Sequence, residues 1–191
     1  LQNSQVHLHL DLIAGLPEES YAQFADSFRD VYALGAHHLQ LGFLKVLPGS
    51  ILAQEAQQRG LVYSDVPPYQ IIETPSISNA ELQKLEWIAD ILDLYYNSER
   101  FYDILAFAIE QYGDSFAFYE SFADFTKNRL QKNAQLKVKY EYLYHFLIAI
   151  WPQQKETWRY RLAKNWQNTV KSAKIPFFLQ YCNDEEKSFP F

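Results

Sequence analysis

The chain has 191 residues, 48% of them hydrophobic and 17% aromatic, with only 21% charged and a formal net charge of −6. That balance supplies a real core and argues against wholesale disorder, and the acidic excess argues against general affinity for nucleic acid or an anionic membrane. One cysteine, Cys182, excludes an internal disulfide and any multi-cysteine zinc or iron–sulfur site within this chain.

From the N-terminus, Val6, Leu8, Leu10 and Leu12 alternate with His7, His9, Asp11 and Ile13. This predicts a strand over 6–14 with an apolar back and a polar front. Gly15-Leu-Pro17 turns the chain into a helix carrying Tyr21, Phe24, Phe28, Val31 and Leu34 on one stripe and stopping at Gly35. A second strand is expected at His38–Val46. Leu39, Leu41 and Phe43 form its back; His38, Gln40, Gly42 and Leu44 form its front. Pro48-Gly49-Ser50 opens a short helix that Gly60 ends. Two successive β/α units predict parallel strands.

Turn-rich sequence then interrupts, with a short extra strand expected at Tyr69–Glu73. Everything from Ser78 onward reads as helix. Ser78-Asn-Ala-Glu81 is a capping box heading a stripe of Leu82, Leu85, Ala89, Leu92 and Tyr96. Ser98 is expected to cap a second helix closed by Gly113, and Asp114 a third bearing Phe118, Phe122 and Phe125. Further helices are expected over about 135–151, stopped by Pro152, and 153–171. The tail 175–191 has no clear period. The fold class is therefore α/β followed by all-α. The expected domains are β/α units over 1–62, a connecting segment over 63–77 and a helical domain over 78–191.

Chemistry-bearing residues are sparse. His7, His9 and Asp11 stand at alternate strand positions, in steps of about 6.5–7 Å, and form a candidate metal set. A metal-dependent hydrolase would need further ligands from later strands, and none ends the next strand. Polar lining of an interior face is the simpler reading. Lys127, Arg129, Lys132, Lys137 and Lys139 could form a basic patch, but such runs usually face water. No segment approaches the roughly 18 apolar residues of a membrane span and no signal peptide is visible, so a cytoplasmic location is expected. The chain opens on Leu1 and contains no methionine, as expected of an excised piece.

Three segments together resemble a known family. They are Asp11-Leu-Ile13-Ala-Gly15-Leu-Pro-Glu18, Leu39-Gln-Leu-Gly-Phe-Leu-Lys-Val-Leu-Pro-Gly-Ser50 and Gly60-Leu-Val-Tyr-Ser-Asp-Val-Pro-Pro-Tyr69. They are similar to the last part of the barrel of radical S-adenosylmethionine (radical SAM) enzymes. The nearer resemblance is to members with an N-terminal cobalamin-binding domain and a helical C-terminal domain of unknown function. Such proteins are labelled iron–sulfur oxidoreductases or magnesium-protoporphyrin IX monomethyl ester oxidative cyclases. Tyr95-Tyr-Asn-Ser-Glu-Arg-Phe101 and Phe116–Phe125 are similar to that helical domain, and the resemblance covers about residues 6–150.

The resemblance implies a partial barrel of which this chain keeps the fifth and sixth strands. It places Ile13 and Gly15, with Val46 and Leu47 after the next strand, beside SAM in the parent protein. It also implies a parent with a 4Fe-4S cluster, SAM and cobalamin, acting on an unknown small molecule. The Cys-x3-Cys-x2-Cys loop and the Gly-Gly-Glu strand end are absent here, so the expected chain is a C-terminal fragment, not catalytic alone, whose partner is the N-terminal remainder. The open polar face is expected to be covered by dimerisation or by the chain's own helices. The alternative is a non-catalytic helical interaction or regulatory module.

Overall fold

The computed structural model describes residues 7–127, 129–170 and 174–180. It is mixed α/β at the start and helical thereafter, and forms two compact units, 1–132 and 133–191.

In the first unit β1 (His9–Ala14) and β2 (His38–Phe43) pair in parallel, with His9 opposite His38, Asp11 opposite Gln40 and Ile13 opposite Gly42. That register keeps the two polar faces together. On the apolar backs Ala14, Leu39 and Leu41 are buried, and Leu10, Leu12 and Phe43 are half-buried. Between the strands runs α1 (Tyr21–Ala33), headed by a Ser20–Gln23 capping box. Phe24 and Phe28 on its stripe are buried as expected, but Leu34 is 51% exposed because it caps the helix end. The second strand is shorter than expected. Beyond Phe43 the chain pairs elsewhere: Leu44 accepts from the Ile71 amide at 2.8 Å and Val46 donates to Tyr69 at 2.9 Å.

After the short α2 (Ile51–Glu55), β3 (Val62–Tyr63) and β4 (Ile71–Glu73) form a small antiparallel pair. The extra strand is thus shorter than the expected 69–73, and its partner at 62–63 is too brief to show a period. Next, α3 (Asn79–Ile91) begins on the Ser78–Glu81 capping box and runs into a π-helical turn at Leu92–Tyr96. α4 (Tyr102–Tyr112) ends on Gly113 at φ 82, and α5 (Ser115–Thr126) is capped by Asp114. Ser98 does not cap α4. Its hydroxyl donates to the Tyr95 carbonyl, and the buried Phe101 stands at the helix start with no side-chain cap.

α1 is gripped by α5. Phe28 lies edge-on to Phe116 and Tyr119, with ring centroids 5.5 and 5.9 Å away, and Tyr21 donates to Glu120 at 2.6 Å. Arg29 Nε meets both Asp114 carboxylate oxygens at 3.1 Å. The guanidinium, with the Ala117 and Phe116 amides, holds the Asp114 carboxyl below its usual value. A depressed carboxylate contributes stability above the ordinary pKa of about 3.9 and loses it as pH falls through the folded value. Asp114→Asn keeps a good N-cap but removes the charge. Urea midpoints between pH 5 and 2 are therefore expected to fall less steeply in the variant. The difference should be about 1 kcal/mol or less, because the pair is one-third exposed.

The second unit holds α6 (Leu136–Ile150) and α7 (Lys155–Val170). Between them Pro152–Gln154 forms a 3-10 turn, so α7 starts two residues later than expected. Trp158 is fully buried and stacks on Trp151 at 5.3 Å, and Tyr140 donates to Asn165 at 2.5 Å. In the tail a 3-10 turn at Phe177–Leu179 buries Leu179, which sequence periodicity did not reveal. Val6, Cys182 and residues 183–191 lie outside the described residues. Among the described residues, no helix is long and apolar enough to cross a membrane.

Candidate functional site

The strand pair presents two candidate surfaces: a polar front, and a rim at the C-terminal strand ends. On the front, four histidines form a row. His7 lies 4.7 Å from both His9 and His37, and His9 stacks on His38 at 4.8 Å, all between ring centroids. His37 breaks the alternation, joining the row because the chain bends as it enters β2; its Nδ1 accepts the Leu8 amide at 3.1 Å. His7, His9, Asp11 and Gln40 are exposed, and among the described residues no helix of the first unit covers this face. The rings of the row lie beside one another, and among the described residues no group of three or more His, Cys, Asp or Glu could hold a metal ion. His7, His9 and Asp11 are brought onto one face, as the alternation requires, but not into a ligand set.

The two edges of the sheet differ. The amide of Leu39 donates to Asn97 Oδ1 and its carbonyl accepts from Asn97 Nδ2, both at 3.0 Å. Asp93 holds the same Asn97 amide at 2.8 Å, and Tyr96 donates to the Ala36 carbonyl. The π-helical turn thus delivers a side-chain amide that pairs with the β2 edge as a strand would. Together with the bonds from 69 and 71 to 46 and 44, it occupies that side. On β1 the Leu8 and Ala14 carbonyls point toward β2. The peptide groups of His9, Asp11 and Ile13 therefore face the opposite edge, where no strand pairs among the described residues.

At the rim, the four positions marked by the family resemblance separate. Ile13 is 49% and Leu47 52% exposed, whereas Val46 is 1% exposed. Gly15, at φ 81, is also buried; a Cβ placed there would meet Ile71 Cγ2 at 2.5 Å and Leu82 Cδ2 at 3.4 Å. Ile13 and Leu47 thus face solvent, whereas Gly15 and Val46 are turned into the packed interior. Glu18 is exposed at φ 70. The neighbouring Glu19 has one carboxylate oxygen buried without a hydrogen-bond partner, and burial raises its carboxyl. Nothing in the local sequence marked Glu19, since only the fold of the 15–20 turn removes it from water.

Two of the basic residues of the first unit are engaged locally. Lys127 lies 3.7 Å over the Trp87 ring and Lys132 pairs with Asp90 at 2.5 Å.

In a comparison with known families, residues 57–189 match the family described as "Protein of unknown function (DUF4080)". No curated protein matches the chain.

Proposed function

The chain belongs to the DUF4080 family, and from that premise we propose that it is the C-terminal part of a cobalamin-binding radical SAM enzyme, inactive alone. Domains of this family are found in cobalamin-binding radical SAM proteins. The observation that carries the reading is the asymmetry of the strand pair. β2 is closed by Asn97 and by residues 69–71, while β1 has an edge on which no strand pairs among the described residues, continuous with an exposed polar face. Earlier strands of a barrel, supplied by the N-terminal remainder, would add at β1 and enclose that face.

The residues present fit only part of the machinery. Exposed Ile13 and Leu47 suit the flat face of a SAM adenine at the strand ends. A single cysteine does not fit a four-iron cluster, whose thiolates would come from the remainder. When bound, the cluster and SAM would supply reductive cleavage that starts hydrogen abstraction from a small-molecule substrate. This chain's own part is to position the adenine side of the site and, through the segment around Ile71 and Leu82, to shape the substrate pocket.

The test uses the intact parent protein. Its upstream sequence is expected to contain Cys-x3-Cys-x2-Cys, and the anaerobically reconstituted protein to release 5′-deoxyadenosine from SAM under dithionite. Ile13→Glu should raise the KM for SAM at least about tenfold, roughly 1.4 kcal/mol, with little loss of stability because Ile13 is half-exposed. A parent without the cysteine motif, or with no 5′-deoxyadenosine formed, would remove the proposal.

A further inference from the structure

Between β4 and the first turns of α3 lies a cleft of about 310 Å³ that none of the residues discussed above explains. Its size is at the lower end of small-molecule sites. Asn79, Gln83 and Glu86 stand at i, i+4 and i+7 of α3 and so share one helix face. Gln70 comes from the facing segment and donates to Glu86 Oε1 at 2.6 Å. The floor is Ile71 and Leu82, the same two side chains that pack on Gly15.

The lining holds three carboxamides and one carboxylate, and no cationic side chain. Lys132, whose field reaches Glu86, is itself paired with Asp90. Carboxamides donate and accept indifferently, so the carboxylate sets the sign. One of its oxygens is engaged by Gln70; the other remains to accept a further donor. An anionic ligand would meet that carboxylate with no compensating charge, whereas an ammonium or guanidinium group would gain a charge-assisted hydrogen bond.

We propose that this cleft is a binding site for a small organic cation, its charged head on Glu86 and its apolar body on Ile71 and Leu82. The cation rests on the radical SAM reading only in being named the substrate of that site; the binding itself does not. The placement is apt, because Ile71 and Leu82 buttress the β1–α1 turn and so join the cleft to the strand-end rim, where ligands of parallel α/β sheets bind.

The test titrates the whole 191-residue chain, without cofactors, with n-butylammonium, n-butanol and butyrate, and follows amide resonances by NMR. Saturable shifts are expected for n-butylammonium alone, at the Gln70 and Gln83 side-chain amides and at the Gly15 backbone. Glu86→Gln should weaken the affinity at least tenfold. Ile72→Trp, an exposed lining position, should block the cleft while leaving Glu86 intact. Equal shifts from the three probes, shifts mapping elsewhere, or undiminished affinity in both variants would overturn the proposal. Binding in a chain whose parent lacks the cysteine motif would leave the cleft standing and remove only the name substrate. Loss of binding alongside 5′-deoxyadenosine formation by the parent would do the reverse.

Discussion

Phe28→Ala is expected to lower the stability of the first unit by about 3–5 kcal/mol, the usual cost of emptying a fully buried phenylalanine site. The ring belongs to α1, between the two parallel strands, yet its aromatic neighbours Phe116 and Tyr119 belong to α5. Its removal therefore loosens the β/α segment and the helical segment at once. Amide hydrogen exchange is the informative measurement, because Trp87 alone reports this unit while Trp151, Trp158 and Trp166 lie in the other. Protection should fall together in β1, β2 and α5. A loss confined to β1 and β2, with α5 unchanged, would show that the helices through Lys132 fold without the strands, as a separable interaction module requires. The Tyr21–Glu120 and Arg29–Asp114 contacts point the same way, since each joins α1 to α5.

Much of this arrangement is legible in the sequence because local chemistry sets it. The period-two pattern at 8–13 requires His9 and Asp11 to share a face, and the Ser78–Glu81 box starts α3 where two orphan amides need partners. Asp114 caps α5, and Gly113 ends α4 in the left-handed region. What the sequence conceals depends on distant partners. Ser98 has the right chemistry for a cap, but the π turn before it and the burial of Phe101 move the next helix start to Tyr102. Asn97 reads as an ordinary helix-end residue, and only the fold brings its amide to Leu39, fifty-eight residues away. His37 sits on the wrong parity for the polar face and reaches it through the bend before β2. At the rim, Ile13 and Leu47 stay exposed, while Val46 is drawn inward by its hydrogen bond to Tyr69.

Gly15→Ala is the second substitution with a large expected effect, and it examines the joint between strand end and helical region. Alanine at φ 81 incurs about 1–2 kcal/mol of left-handed backbone strain. Its methyl would also stand 2.5 Å from Ile71 Cγ2, and such overpacking typically costs about 1–3 kcal/mol more. The total expected loss is about 2–5 kcal/mol, read as a lower urea midpoint with an unchanged slope. The two contributions separate in a double-mutant cycle with Ile71→Ala. That single change removes a 2%-exposed side chain and should itself cost about 2–5 kcal/mol. In the double variant the alanine methyl enters space that Ile71 has vacated, so the losses should fall short of their sum by about 1–3 kcal/mol. Strict additivity would mean that the backbone strain is the whole effect and that Ile71 does not press on the turn. A shortfall would establish that β4 fixes the position of the 15–18 turn. The strand end that carries Ile13 would then be held from behind by Ile71, a residue within the DUF4080 match.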